Sequence, residues 1–331
     1  MRTLPHYMLE RGWRAWALYD LSIVYRCFFA ARNTLYAWGV LKQQKLPVPV
    51  VVVGSIFVGG TGKTPLTVWL IEQLRMRGYT PGVVSRGYGR TSRGVHQVLV
   101  TSSPDFSGDE PLLIAQLSGA PVYVGNDRVA AAHALLKAHP QVDLIIGDDG
   151  LQHIRLARDF EIAIMDARGY GNGFALPAGP LREMPARLAK ADAIISRDAP
   201  PLPELKGALP MRLVIDRLEH AASGQVLAPA AFAAQHPRVL AAAGIGNPQN
   251  FFDALAAVGV QAQTLPLPDH FDFARNPFPD DPDLAIVVTQ KDVLKTAHLN
   301  DARLWVAHAA TSVDYGLIDQ IMSKIGGPKT A

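Results

Sequence analysis

Apolar runs and amphipathic stretches alternate along most of this chain. Short β-branched runs between turn residues are typical of strands buried on both faces of a parallel sheet, and apolar residues spaced three and four apart are typical of the helices that cover it. The pattern therefore predicts an α/β fold. In the first two thirds of the chain the predicted strands span residues 49–54, 80–85, 95–100, 121–124, 142–148, 160–166 and 191–196.

A second series of apolar runs follows a proline-rich stretch that ends at Pro210. Between the two series, extended segments flank Ser223-Gly224, which predicts a hairpin. A chain of 331 residues exceeds the size at which a single core stops growing, so two domains are expected. We predict an N-terminal amphipathic helix over 1–40, an α/β domain over 41–210, a two-stranded linker over 211–235 and a smaller α/β domain over 236–331.

The segment from Leu9 to Trp38 combines aromatic and basic residues. On a helical wheel, one arc carries Arg11, Arg14, Ser22, Arg26, Arg32 and Asn33, and the opposite arc carries Trp13, Trp16, Ile23, Val24, Cys27, Phe28 and Leu35. Charges interrupt it too often for a transmembrane span, and it lacks the pattern of a signal peptide. Either the helix lies on an anionic membrane surface, or it packs its apolar side on the protein core.

A glycine-rich turn joins the first predicted strand, 49–54, to a helix. In such a turn the backbone N–H groups can face a polyphosphate, a lysine can reach its outer phosphates, and a threonine hydroxyl can ligate Mg²⁺. The order of strand, turn and helix therefore predicts a P-loop that binds a nucleotide. Its residues are Val58, Gly59, Gly60, Thr61, Gly62, Lys63, Thr64 and Pro65.

The match to a P-loop is partial, because Phe57 stands where the usual spacing has a glycine. The alternative is a glycine-rich turn with an incidental lysine.

Composition adds two constraints on the partners and on the cysteine chemistry of the chain. Lys and Arg (32) nearly balance Asp and Glu (29), so no basic field favours nucleic acid as a partner. The single cysteine, Cys27, excludes an internal disulfide and a cysteine-based zinc site, as is typical of a reducing cytoplasm.

Two adjacent aspartates lie at the carboxyl end of the predicted strand 142–148: Asp148 is its last residue and Asp149 follows it. The carboxyl end of a buried strand is where a P-loop fold carries the acid that orients its metal ion. ATP chemistry needs Mg²⁺ beside the phosphates, so the presence of Lys63 and Thr64 favours a metal role. A polar turn is the alternative, because Asp-Gly is a common turn dipeptide.

Other polar residues also lie beside predicted strand or helix ends. Asp109 lies just before a predicted helix whose first turn contains Pro111, which predicts an N-cap role unless it has another function. His270, between two aspartates, is a catalytic candidate, although a lone histidine is usually structural. Arg86 and Arg90 flank Gly-Tyr-Gly, and they either bind an anion or lie in a solvated turn.

The loop from Arg168 to Leu181 is too long to be only a connection, and it leads to Glu183, which is either a metal ligand or a surface residue. The sequence predicts a turn after a strand at Gln290, Lys291 and Asp292. The stretch 289–292 is weak evidence for contact with a nucleotide base, because its lysine comes one place late for a guanine-reading motif.

Seven stretches occur in one order over nearly the whole chain, and together they resemble the tetraacyldisaccharide 4'-kinase family, the lipid A 4'-kinases. They are Val58-Gly-Gly-Thr-Gly-Lys-Thr-Pro65, Val83-Val-Ser-Arg-Gly-Tyr-Gly-Arg90, Gly108-Asp-Glu-Pro111, Asp148-Asp-Gly-Leu-Gln-His153, Leu176-Pro-Ala-Gly-Pro-Leu-Arg-Glu183, Pro268-Asp-His-Phe271 and Thr289-Gln-Lys-Asp292. The P-loop of that family is itself irregular at the position of Phe57.

The resemblance implies two α/β/α domains joined by a two-stranded linker, the first of them P-loop NTPase-like, with the site in the cleft. It implies transfer of the ATP γ-phosphate to the 4'-hydroxyl of an acylated glucosamine disaccharide at the cytoplasmic face of the inner membrane. We expect the protein to be a monomer. Lys63 and Thr64 match contacts to phosphate and Mg²⁺, and Asp109 matches a base assisted by His270. The acids that match positions around metal and substrate are Asp148, Asp149 and Glu183; we take Asp148 and Glu183 as metal ligands and Asp149 as catalytic.

Two other classes of protein share some of these features. A P-loop GTPase or metallochaperone would share Lys63, Thr64 and Asp148 but would not need Asp109 and His270. A non-catalytic lipid-binding ATPase would hydrolyse ATP without phosphorylating a lipid. Nucleotide preference and the fate of the γ-phosphate distinguish the three classes.

Overall fold

The structure is a computed structural model that describes residues 5–198, 205, 207–245, 248–268 and 271–327. Its residues group into two compact units. Among the described residues, the first unit runs to Met211 and resumes at Val313, and the second unit spans Arg212–Ser312. Each unit has its own hydrophobic core.

A parallel sheet forms the centre of the first unit. Its strands are β1 (Val50–Gly54), β2 (Pro81–Ser85), β3 (His96–Val98), β4 (Val122–Val124), β5 (Leu144–Asp148), β6 (Phe160–Asp166) and β7 (Ala193–Arg197). They lie in the order β7-β6-β1-β5-β2-β4-β3, and β3 alone in that series is antiparallel to its neighbour. In β1, Val53 lies between Asp148 of β5 and Ile162 of β6, so the valine run is central and fully buried, as predicted.

Helices cover both faces of this sheet. They include α3 (Lys63–Met76), α4 (Pro104–Ser107), α5 (Asp109–Ser118), α6 (Arg128–Ala138) and a 3-10 helix at Pro185–Lys190. Because side chains alternate along a strand, Val51 and Val53 pack with α3 and α5, whereas Val50 and Val52 pack with α6. The α/β/α arrangement predicted for this domain is thus confirmed, and α3 begins at Lys63, within the predicted P-loop.

The N-terminal segment forms a 3-10 turn (His6–Met8), α1 (Trp13–Ala17) and α2 (Tyr19–Ala37). Trp16 of α1 packs on the ring of Phe174, whereas the apolar side of α2 is exposed, with Val24 and Phe28 each 66% exposed. The buried residue of α2 is instead polar: the Ser22 hydroxyl donates to the carbonyl oxygen of Ala175 at 2.9 Å. For α2, the alternative in which the helix packs its apolar side on the core is therefore wrong. No helix in the described part of the chain is long and apolar enough to cross a bilayer.

The second unit is smaller and is also built of parallel strands covered by helices. Its elements are β8 (Leu209–His220), β9 (Val226–Leu227), α7 (Pro229–Gln235), β10 (Val239–Ala243), α8 (Pro248–Ala257), β11 (Gln263–Pro266), β12 (Ala285–Thr289), α9 (Gln290–Thr296), a 3-10 turn (Ala297–Leu299) and β13 (Leu304–Val313). The strand order is β11-β10-β12-β13-β8. The predicted hairpin is present, with β9 antiparallel to β8. Phe232 and Leu255 pack on one side of the sheet, and Phe273 and Phe278 pack on the other.

The turn predicted at Gln290–Asp292 is instead the start of α9. The backbone N–H of Asp292 donates to the Thr289 hydroxyl at 3.2 Å, and that hydroxyl donates back to the Asp292 carboxylate at 2.7 Å. The same carboxylate accepts the backbone N–H of Gly244 at 3.0 Å. A threonine three residues before an acid is a helix-start signal, so this stretch has a structural role in the second unit.

The last helix, α10 (Gly316–Ile325), belongs to the first unit, where it contacts α3 and β6 and buries Ile318 and Ile321. The sequence pattern groups this helix with the C-terminal domain instead. The compact units also divide within β8 and β13, not at the ends of the β8–β9 hairpin. The domain boundaries given above therefore remain predictions, and the compact units divide the chain differently.

Candidate active site

The turn between β1 and α3 carries the P-loop residues. Gly59 and Gly62 both have φ of 94°, a left-handed conformation that glycine adopts without strain. Lys63 begins α3 with its side chain almost fully buried and its Nζ 3.4 Å from the carbonyl oxygen of Gly59. Among the described residues the Thr61 hydroxyl, also buried, has no hydrogen-bond partner. The turn thus offers an ammonium group, a free hydroxyl and a helix N-terminus, which suits a polyphosphate.

Phe57 explains how this P-loop dispenses with a glycine at its start. Its backbone pairs with Leu181, and the N–H of Val58 donates to the carbonyl oxygen of Pro180 at 2.9 Å. The Arg168 guanidinium lies 4.5 Å from the centre of the Phe57 ring and donates to the carbonyl oxygen of Gly60 at 3.1 Å. The long loop predicted to bear function therefore braces the P-loop.

Asp148 ends β5 with no exposed surface. One carboxylate oxygen accepts from the Ser85 hydroxyl at 2.9 Å, and the other, Oδ1, has no partner in the described part of the chain. Burial, and after it the carboxylates of Glu110 and Asp149, raise the pKa of Asp148 to about 7, although Lys63 opposes the shift. Such a buried free oxygen suits a cation, so Asp148 does not fit the alternative of a solvated turn.

Asp149 lies in the left-handed region at φ 49°, which is uncommon for a residue other than glycine. Both of its carboxylate oxygens accept from Nη1 of Arg182 at 2.8 Å, and Oδ1 lies 3.6 Å from Nζ of Lys63. Burial disfavours its charge, but Lys63 and then Arg182 outweigh burial and hold the pKa of Asp149 below its ordinary value. Asp149 is therefore an ionised carboxylate that holds the P-loop lysine.

Glu183 contacts a separate set of groups. Its carboxylate accepts from Nε2 of Gln152 at 2.8 Å and lies 3.5 Å from Nε of Arg187. The amide oxygen of Gln152 accepts in turn from Nη1 of Arg182 at 3.3 Å, which links Glu183 to the group that holds Asp149. No cluster of three or more His, Cys, Asp or Glu residues that could hold a metal ion occurs within the described ranges. The role of Glu183 as a metal ligand stays a prediction.

Asp109 is the first residue of α5 and is exposed to solvent. The N-cap is Gly108, which has no side chain to cap the helix, so the N-cap alternative for Asp109 is wrong. The neighbouring Glu110 contributes to the raised pKa of Asp148, which relates the start of α5 to the end of β5. His270 lies outside the described residues, so its pairing with Asp109 stays a prediction.

Several site residues carry no prediction from the sequence. Arg182 and Gln152 lie inside quoted motifs, yet only the fold reveals that they bind the acids. Arg128 is buried near Asp148 and Asp149; burial, and after it the Arg86 guanidinium, lower its pKa to about 10. Its position at the start of α6 gives no chemical signal in the sequence. Arg86 also lines a surface pocket with Arg90, Arg93 and Asn126, and an anion site at this turn stays a prediction.

Comparisons with known proteins agree over nearly the full length of the chain. A family model described as LpxK, tetraacyldisaccharide-1-P 4'-kinase, matches residues 14–326. The tetraacyldisaccharide 4'-kinase of Janthinobacterium sp. (strain Marseille) is 48% identical, with 97% of this chain and 95% of the relative covered. The protein of the same name from Azoarcus sp. (strain BH72) is 45% identical, with 98% and 96% covered.

A solved structure is similar as well. It is the crystal structure of LpxK from Aquifex aeolicus in complex with ATP, which aligns with a TM-score of 0.74 at 27% sequence identity. The alignment covers 94% of this chain and 99% of that one.

Proposed function

This chain belongs to the tetraacyldisaccharide 4'-kinase family, and on that premise we propose that it transfers the γ-phosphate of ATP to the 4'-hydroxyl of a tetraacylated glucosamine disaccharide 1-phosphate, which yields lipid IVA in lipid A biosynthesis. One observation carries the proposal from the site itself. A P-loop lysine is held 3.6 Å from an ionised Asp149, next in sequence to a buried Asp148 with a free carboxylate oxygen. Phosphoryl transfer needs such an arrangement of cation, acid and metal ligand.

Lys63 and the N–H groups of residues 59–64 would bind the phosphates of ATP. Thr64 and Asp148 would hold Mg²⁺, which when bound spreads the negative charge of the transferred phosphoryl group. The residues fit a hard cation, because Oδ1 of Asp148 is a buried oxygen without a partner among the described residues and Thr64 lies in the first turn of α3. Glu183, with its contacts to Gln152 and Arg187, is the further ligand that the resemblance implies.

Two aspartates would take the remaining roles. Asp149 orients the Lys63 ammonium, and Arg182 keeps Asp149 in place. The oxygen of the sugar 4'-hydroxyl bonds to the γ-phosphorus, and the bond from that phosphorus to the bridging oxygen of ADP breaks. Asp109 accepts the proton that the sugar hydroxyl loses. Its exposed side chain at the start of α5 supports this role. Assistance from His270 is part of the proposal and rests on the family motif alone.

The lipid acceptor calls for an enzyme that reaches a membrane surface. The exposed apolar side of α1 and α2 supports a peripheral position on an anionic bilayer, and we propose the cytoplasmic face of the inner membrane. Trp13, Trp16 and Trp38 are the exposed residues best suited to the interface. The protein would act there as a monomer, with no nucleic-acid partner.

Formation of ADP from ATP with and without acceptor lipid tests the proposal. A kinase releases ADP only when a detergent-dispersed acylated disaccharide 1-phosphate and Mg²⁺ are both present. ADP formation that is indifferent to the lipid would favour a lipid-binding ATPase, and a preference for GTP would favour a P-loop GTPase. An Asp109→Asn variant should lose turnover while its thermal midpoint stays that of the native protein, because Asp109 caps no helix.

A further inference from the structure

The polar side of α2 contacts backbone groups of the first unit at two places beside the acid site. The Tyr25 hydroxyl donates to the carbonyl oxygen of Arg182 at 3.2 Å. Nη2 of Arg32 donates to the carbonyl oxygen of Gln152 at 3.0 Å, and its guanidinium is flanked by the rings of Phe29 and Tyr36. These two bonds join the lipid-facing helix to two chain segments that are distant in sequence.

The two carbonyl groups belong to the residues that organise the acids. The Arg182 side chain binds both oxygens of Asp149, and the Gln152 side chain binds Glu183. The side chains of Arg182 and Gln152 also bind each other. A displacement of α2 therefore moves Arg182, and through the Arg182 side chain it moves Asp149. Asp149 in turn holds Lys63.

Beyond its first residue, Tyr19, whose ring lies 4.9 Å from that of Phe174, α2 is attached with little apolar burial. Its buried residue is Ser22, while Val24 and Phe28 are each 66% exposed. A helix joined mainly by a few polar bonds, with its apolar side in water, opens locally at low cost in free energy. A lipid surface that covers the apolar side favours the attached state and shifts the population towards it.

We propose that Tyr25 and Arg32 are positioning residues through which α2, once seated on lipid, holds Arg182 and Gln152 in place and so orders the acid site. The inference rests on the proposed function and adds a regulatory property to it. The bilayer would then raise turnover as well as supply the substrate. Neither residue touches the reacting atoms; each acts on kcat through the side chains that hold Asp149 and Glu183.

Matched variants of α2 separate this role from membrane binding. Arg32→Gln and Arg26→Gln remove the same charge, but Arg26 is exposed and forms no hydrogen bond or ion pair within the described structure. Tyr25→Phe removes a hydroxyl that bonds to Arg182, whereas Thr34→Val removes one that bonds only to Ala30 of its own helix. Arg32→Lys restores a donor and the charge, and it should recover part of any loss.

We expect kcat at saturating anionic vesicles to fall about fivefold in Tyr25→Phe relative to Thr34→Val, and about fivefold in Arg32→Gln relative to Arg26→Gln, the rate equivalent of one ordinary hydrogen bond. The double variant should lose about 25-fold if the bonds act independently. Vesicle co-sedimentation should match between Arg32→Gln and Arg26→Gln. Rates of the paired variants that agree within error would overturn the proposal.

Amide hydrogen exchange gives a second readout that does not need activity. Phosphatidylglycerol vesicles should slow exchange over residues 149–153 and 180–183 in the native protein but not in the Tyr25→Phe/Arg32→Gln double variant. Exchange that ignores vesicles in the native protein, or slows equally in both proteins, would contradict the proposal. A native protein that phosphorylates no lipid but shows the exchange effect would instead refute the proposed function and leave the coupling intact.

Discussion

The helices α2 and α3 belong to the same compact unit, yet they orient their apolar sides in opposite directions. In α3 the side chains of Leu66, Leu70 and Leu74 are completely buried in the core. In α2 the apolar side chains point outward, and Ser22 is the buried residue. An apolar stripe therefore indicates which side of a helix avoids water, but not whether protein or lipid takes its place.

The orientation of each helix matches the role that we propose for it. The core fixes α3, so Lys63 and Thr64 in its first turn are held rigidly beside the P-loop backbone. Polar bonds hold α2, so its apolar side remains available to a bilayer. The predictions below test this division of roles, from the largest expected effect to the smallest.

The largest effect is expected at the start of α3. Lys63→Ala should reduce phosphoryl transfer by about 10²–10³-fold or more, because it removes a positioned cation from the developing charge. Vesicle binding should not change, since α2 is untouched. Lys137→Ala is a suitable control, because it removes an exposed lysine near the end of α6. Near-normal turnover in a folded Lys63→Ala protein would contradict the P-loop assignment.

Removal of the smaller side chain, Leu70, should cost more stability than removal of the larger one, Phe28. Leu70→Ala in α3 should lower the free energy of unfolding by about 2–5 kcal/mol, because it leaves a cavity in the core. Phe28→Ala in α2 removes more atoms but should change it by less than about 0.5 kcal/mol in the absence of lipid. Urea denaturation measures both values. Similar losses in the two variants would mean that α2 buries its apolar side after all.

Lipid binding should follow α2 alone. Phe28→Ala should weaken binding to anionic vesicles about tenfold, as expected for a lost aromatic contact with the interface. Met76→Ala is the matched control, because Met76 is 68% exposed but lies at the end of α3. Co-sedimentation compares the two, and equal losses would remove the distinction between the helices. These point variants are sharper than deletion of residues 1–32, which would also remove the bonds from Ser22, Tyr25 and Arg32.

The smallest effect concerns helix starts. No side chain caps α3, which leaves its N–H groups for a phosphate, whereas Asp127 caps α6 by accepting the N–H groups of Val129 and Ala130. Asp127→Ala should cost about 1 kcal/mol of stability.

Acid should remove this contribution. Burial opposes the charge of Asp127, but the Ala130 N–H, Arg155 and the Val129 N–H hold its pKa below the ordinary value of 3.8. The stabilisation is therefore present above pH 3.8 and is lost as the pH falls through the lower folded-state pKa. The gap between the native and Asp127→Ala unfolding curves should close in acid, and a gap that widens there would be inconsistent with this assignment.

Much of the fold could be predicted from the sequence, because the buried strands read as β-branched runs. The valine run of β1, the turn at Gly59 and Gly62, and the acids that end β5 all occur as predicted. These features depend on local chemistry. The sequence wrongly predicts a turn at the start of α9, because the hydrogen bonds between Thr289 and Asp292 that begin the helix form only in the fold.

The site was less predictable, because its remaining parts depend on contacts between distant segments. Phe57 gives no sign in the sequence that Leu181 and Arg168 brace it. Arg182 and Gln152 are 30 residues apart and meet only in the fold. The outward orientation of α2 follows from long-range bonds such as that from Arg32 to Gln152, which no periodicity reveals.

Transfer of label from γ-³²P-ATP to the acceptor lipid tests the central claim most directly. Native protein with Mg²⁺ and a detergent-dispersed tetraacylated glucosamine disaccharide 1-phosphate should move the label into the lipid as a second phosphomonoester, with one ADP formed for each label transferred. The Lys63→Ala protein should leave the lipid unlabelled. Label that appears only as inorganic phosphate, or that enters the lipid equally well with Lys63→Ala, would contradict the account.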